Sequence, residues 1–215
     1  MLVLSIDTAS NFCSTCLLEG SRVLVKLCDD VGKRHAEHLI GQINLLMERE
    51  QRDLLDIDLI SVSIGPGSFT GLRVGISAAR GLALALAKPV IGVSVFEALA
   101  CEAAQHYKGR PITVILEGSK GVCYVQDFSP YHKNRGNPRQ DTAIAVAESL
   151  EKNTILIGSG AEDICRMTLC DFLNIRYPQI ATYAFLATKK ICQGKPLPLY
   201  MQAPSAKGSS FFVPS

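Results

Sequence analysis

The stretch with the most chemical potential is IGPGSFTGLR, residues 64–73. It sets Gly65, Pro66, Gly67, Ser68 and Gly71 between an apolar run and a long helical pattern. Strand, glycine loop and helix together can hold phosphate, because backbone N–H groups at a helix N-terminus attract anions. The spacing nevertheless fails the known templates. A P-loop requires GxxxxGK[ST], and no lysine stands near the loop. Gly65, Gly67 and Gly71 give GxGxxxG, one residue longer than the dinucleotide GxGxxG. Arg73 is the only cation in reach, so a structural tight turn is the better reading. The nucleophile elbow GxSxG is absent as well.

Two further groupings carry ligand chemistry. CSTC at 13–16 has the spacing of a zinc or redox half-site, with no second CxxC. Its surroundings read as a strand, where side chains three apart point to opposite faces. The eight cysteines therefore read as reduced, small hydrophobic residues of a cytoplasmic protein. His35 and His38 stand i,i+3 on a helical stretch and share a face. Two imidazoles without a third ligand make a poor metal site, and HExxH is absent. They read as surface histidines. No metal and no catalytic residue is assigned.

The elements that position these groups follow from periodicity. Residues 2–7, 13–20 and 22–28 read as three strands in a meander. Residues 34–50 carry one apolar stripe at helical spacing. Residues 58–64 form a fourth strand, 70–87 a second helix, 89–93 a fifth strand and 94–107 a third helix. Ser94 with Glu97 three residues on is a capping-box signature. This order, β-β-β-α-β-α-β-α, predicts an α/β fold with a mixed sheet and helices on its faces.

KGRP at 108–111 marks a boundary between units 1–107 and 108–215. Beyond it, 112–118 and 122–128 form a hairpin, 129–141 a polar loop, 142–152 a helix and 154–160 a strand. Helices follow from residue 161 and over 180–194, then a proline- and serine-rich tail without regular structure. No internal repeat is visible.

The 215 residues are 47% apolar and carry a net charge of +2. That is enough to bury a core and too little charge to argue for nucleic acid. No apolar run reaches the roughly eighteen residues of a membrane span. The first residues lack a basic n-region and read as a strand rather than a signal peptide.

In the helix 70–87, Leu72, Ile76, Ala79, Ala83 and Leu86 form one stripe. Gly71, Gly75, Ala78, Leu82 and Ala85 form a second, mostly of small residues. One apolar stripe suffices to lie on a sheet, so the small stripe predicts a close helix neighbour, from the same chain or from a partner.

LSIDTASNFCSTCLLEG, RHAEHL, SIGPGSFTGLRVGISAARGLALAL, PVIGVSVFEALA and PLYMQAP together resemble the TsaB (YeaZ) family. The likeness is continuous over the first hundred residues and patchy afterwards. It implies an actin-like (ASKHA) fold of two RNase-H-like lobes. It also implies a non-catalytic subunit that pairs with TsaD, recruits the ATPase TsaE through that heterodimer, and supports threonylcarbamoyl transfer to adenosine 37 of tRNA. On that reading the chain holds no cofactor, ATP is used by the partner complex, tRNA is met indirectly, and a homodimer is open to the isolated chain. His35, His38, Phe69, Thr70, Leu72, Arg73, Gly75, Ala78 and Ala79 become the expected partner interface. The family's arginine-rich hairpin is here Glu117, Gly118, Ser119 and Lys120, with Lys133, Arg135 and Arg139 nearby as substitutes. The competing reading is an active ATPase, kinase-like enzyme or metallopeptidase of the same superfamily. It lacks a glycine after Asp7 and a recognisable metal motif.

Overall fold

The computed structural model describes residues 1–130, 134–190 and 196–201. His132, Lys133, Cys192, Gly194 and the tail beyond Met201 lie outside the described residues. The chain forms two five-stranded sheets. The first contains β1 (Leu2–Asp7), β2 (Phe12–Glu19), β3 (Arg22–Asp30), β4 (Leu59–Ser63) and β5 (Val90–Val93) in the order β3-β2-β1-β4-β5. β1, β2 and β3 pair antiparallel, while β4 pairs parallel to both β1 and β5. The helices α1 (His35–Arg49) and α2 (Phe69–Leu86) supply the crossovers, and α3 (Val95–His106) follows β5.

The second sheet repeats this plan. It contains β6 (Ile112–Glu117), β7 (Val122–Phe128), β8 (Asn134–Thr142), β9 (Ile155–Ile157) and β10 (Asp171–Leu173) in the order β10-β9-β6-β7-β8. Its crossovers are α4 (Ala143–Ser149) and α5 (Ala161–Met167), and α6 (Ile180–Lys189) follows β10. The repeat is invisible in the sequence because only topology is shared. The second half builds the same ladder with a polar edge strand, β8, and with β9 and β10 of only three residues each. β8 reads NRGNPRQDT and was expected as a loop. It lies at the sheet edge and is largely exposed, so it needs no apolar alternation and tolerates Pro138. β10 falls in a stretch expected to be helical; the helix ends at Met167 and three residues pair with β9 instead.

The final helix of each half packs on the other half's sheet. α3 lies against β6 and β9, whereas α6 lies against β1, β2, β4 and β5 and touches α3. The expected division at 107/108 is therefore crossed by α6, which belongs to the first sheet although the chain reaches it last. Tyr183, Ala184 and Ala187 of α6 bury against Val3, Cys16, Leu18, Ile91 and Val93. Alternation along β1 explains the two faces: Leu2, Leu4 and Ile6 join the core under α1 and α2, while Val3 faces α6. Cys13 and Cys16 also divide between those two cores, as the strand reading predicts. Burial pushes both thiols up to about 12. The seven described cysteines are free.

Helix boundaries obey local chemistry. Ser94 accepts from the N–H of Glu97 at 3.1 Å while Glu97 accepts from the N–H of Ser94 at 2.9 Å, completing the expected capping box. On α1, Gln42 is buried and bridges to the neighbouring strands, donating to the Cys13 carbonyl at 3.1 Å and accepting from Thr15 at 3.2 Å. α2 is 18 residues long with a mean hydropathy of 1.2. That meets the length and composition of a membrane span, which a count of uninterrupted apolar residues misses because Arg73 and Arg80 interrupt it. In this fold α2 lies on the first sheet, burying Gly71, Leu72, Gly75, Ile76, Ala79 and Ala83.

Candidate functional site

Two regions stand out: a cleft between the sheets and the outer face of α1 and α2. The cleft encloses about 280 Å³ and is lined by Asp7, Ser10, Asn11, Gly67, Glu117, Ser159, Arg176, Tyr177 and Tyr183, among others. It opens at the carboxyl ends of β1, β4, β6 and β9, the place where open α/β sheets receive ligands. Glu117 and Arg176 form an ion pair across it at 3.2 Å. Tyr177 meets Phe12 edge-on with ring centroids 6.0 Å apart.

The glycine loop forms one wall. Gly65 has φ +93, a conformation that favours glycine. A side chain at Gly67 would place its Cβ 2.1 Å from the Ala9 carbonyl oxygen. The loop is thus pressed onto the turn after β1, and the Ser68 N–H donates to that carbonyl at 2.6 Å. Ser68 caps α2; its hydroxyl accepts from the N–H of Gly71 at 3.2 Å. The matching loop of the second half, Gly158–Gly160, is also closed on itself. Gly158 N–H donates to Ile175 at 3.1 Å and Gly160 N–H to Ile115 at 3.0 Å.

Asp7 ends β1 and lines the cleft. Its carboxylate accepts from the Ala9 N–H at 2.9 Å and interacts with the Tyr183 hydroxyl, to which Ser63 donates at 3.5 Å. Burial raises its carboxyl above the ordinary range, opposed by these hydrogen bonds and by nearby His35. Burial and the Asp7 charge push the Tyr183 phenol well up. Among the described residues no three His, Cys, Asp or Glu side chains are placed to hold a metal ion.

The expected interface residues separate. Thr70 and Arg73 are exposed, and Phe69, Ala78 and His38 are partly so. Leu72, Gly75, Ala79 and His35 are buried within the chain and cannot face a partner. His35 is held inside because a ring nitrogen lies 2.9 Å from the Ser10 carbonyl oxygen. Gly71 and Gly75 are small for the chain's own sheet: added Cβ atoms would meet Thr8 at 2.0 and 2.3 Å. Arg73 stacks 3.8 Å over the Phe69 ring and donates from Nε to the Tyr200 hydroxyl at 3.1 Å. This ties the described part of the tail to the start of α2. The cations proposed to replace the hairpin arginines are mostly spent, since Arg135 pairs with Glu151 and Arg139 with Asp127.

What sequence reasoning missed is the face that does point outward. Ile40 is 50% and Leu84 85% exposed. Gly41 and Gly81 have nothing within 4 Å of an added Cβ. α1 and α2 pack side by side, so these residues belong to one outer layer. A helical wheel gives two stripes for α2 but not the angle at which it rests on the sheet.

A family model for TsaD, tRNA N6-adenosine threonylcarbamoyltransferase, matches residues 29–189. The chain belongs to that family. Curated proteins named TsaB and curated tRNA N6-adenosine threonylcarbamoyltransferases both match the chain. The tRNA threonylcarbamoyladenosine biosynthesis protein TsaB of Buchnera aphidicola (subspecies Schizaphis graminum) is 28% identical, over 82% of this chain and 88% of its own length. TsaB of Escherichia coli K12 is 31% identical, over 60% of this chain and 55% of its own length. YeaZ from Pseudomonas aeruginosa superposes with a TM-score of 0.77 at 21% identity, covering 93% of this chain and 99% of that one. The activator of 2-hydroxyisocaproyl-CoA dehydratase from Clostridium difficile, solved with bound ADPNP, has a TM-score of 0.50 at 12% identity over 88% of this chain and 95% of its own. These likenesses fix the fold as the actin-like, ASKHA type.

Proposed function

We propose that this TsaD-family chain is a non-catalytic subunit of the machinery that makes threonylcarbamoyladenosine in tRNA. It works in the cytoplasm by presenting the outer face of α1 and α2 to a TsaD-type enzyme, and TsaE joins through that pair. ATP is used by the complex and not by this chain. The names of the TsaB relatives support the pathway. The observation that carries the binding role is the outer helix face, where Leu84 is 85% exposed beside glycines with open space above them. Apolar side chains flanked by such glycines let another helix backbone come close. In isolation the same face would pair two copies of the chain.

The test is Leu84→Glu, measured with the TsaD of the same organism by calorimetry or light scattering. Leu84 touches little of its own chain, so stability should change by about 0.5 kcal/mol or less. A carboxylate forced into a dry contact costs several kcal/mol, so association should fall by about a hundredfold. Unchanged affinity in a folded variant would move the interface elsewhere. An unfolded variant would contradict the open face itself.

A further inference from the structure

An actin-like fold implies a nucleotide and its cation in the cleft between the lobes, and the residues present do not fit them. We propose that Tyr183 locks this cleft: its hydroxyl holds the Asp7 carboxylate in the place of a hydrated cation, so the cleft joins the two halves of the chain and takes no nucleotide–metal complex.

The first argument concerns the carboxylate. A cation needs free lone pairs and an open approach. Asp7 instead accepts from the Ala9 N–H at 2.9 Å and shares its cleft wall with Tyr183, whose hydroxyl interacts with it. Ser63 donates its single proton to the Tyr183 hydroxyl at 3.5 Å, which leaves the phenol proton for Asp7.

The second argument concerns what holds Tyr183. Its side chain is fully buried, and its carbonyl accepts from Ser61 at 2.9 Å. The helix carrying it is fastened at both ends. Glu102 of α3 accepts from the Gln179 N–H and the Thr182 hydroxyl, each at 2.7 Å. Lys190 donates to the Gly92 carbonyl and to Glu97, each at 3.0 Å. Freeing Asp7 would therefore require α6 to leave the first sheet.

The third argument concerns phosphate. The N–H groups of Ser68, Gly158 and Gly160 are already paired with carbonyls of the chain. The loop at Gly67 is packed against Ala9 without a gap. The cleft wall adds a second carboxylate, Glu117, whose charge is matched by Arg176. A polyphosphate would have to displace that pair.

The experiment is a double-mutant cycle on the full chain with Asp7→Asn, Tyr183→Phe and the double variant, read by urea unfolding. A hydrogen bond to a charged group predicts that each single change shifts the unfolding constant by roughly ten- to a hundredfold. The double variant should be no worse than the poorer single one. Additive effects would show that Tyr183 and Asp7 do not act together and would overturn the lock. If Tyr183→Phe does not fold, Ser63→Ala runs the same cycle against Asp7→Asn, with the same coupling expected. In parallel, Mg2+ with ADPNP is titrated into the wild-type chain by calorimetry. No one-site heat is expected. Binding that Asp7→Asn abolishes would overturn the proposal.

Discussion

Replacing Gly71 with alanine adds a single methyl group, and its fate separates the two possible faces of α2. A Cβ at Gly71 would lie 2.0 Å from the Thr8 carbonyl oxygen. That atom is backbone in the first strand's turn, so it cannot swing aside as a side-chain end would. Forcing the two apart costs about 3 kcal/mol, the upper part of the usual range for overpacking. The shift also disturbs the hydrogen bond from the Thr8 hydroxyl to the Gly71 carbonyl at 2.7 Å. Its loss adds about 1 kcal/mol. Alanine returns about 1 kcal/mol through helix propensity. The net loss is about 3 kcal/mol, or about 6–12 °C in Tm for a chain of this size. Gly81 is the internal control. It sits in the same helix with nothing within 4 Å, so Gly81→Ala should gain about 1 kcal/mol from propensity alone. The assay is urea unfolding of both variants, comparing midpoints at unchanged slope. A Gly71→Ala variant as stable as wild type would refute the close approach of α2 to β1. It would restore the reading in which the small stripe waits for a partner.

Glu102 offers a pH test. Its carboxyl is raised above 4.5 chiefly by burial, and Oε2 has no partner among the described residues. A raised folded-state value stabilises below the unfolded value, and that contribution is lost as pH rises through the folded value. Glu102→Gln mimics the protonated form, so its stability relative to wild type should climb as pH rises from 4.5 and then level off; a pH-independent difference would refute the assignment. Thiol labelling of the native chain should modify exposed Cys28 and spare Cys13 and Cys16, whose thiols sit near 12. Peptide mapping checks this, and native-state modification of Cys16 would contradict its burial.

The sequence alone determined the first lobe. Its strands alternate cleanly or run apolar throughout, its helices carry apolar stripes at helical spacing, and Ser94 with Glu97 announces a helix start. Such signals are local, because period and cap are set by residues within a turn or two of each other. The cysteine pair was legible for the same reason. The second sheet was less so, since β8 is a polar edge strand and β10 is three residues long. Both are defined by the neighbours that pair with them and not by their own pattern. Tertiary structure alone decided which glycines of α2 are closed and which are open, because that depends on how the helix rotates on the sheet. It also decided that α6 returns to the first sheet and sets Tyr183 beside Asp7. Those two residues are far apart in sequence, and no periodicity within either segment encodes their meeting. The contact exists because the buried face of α6 fits the face of β1, β2, β4 and β5 that α1 and α2 leave uncovered.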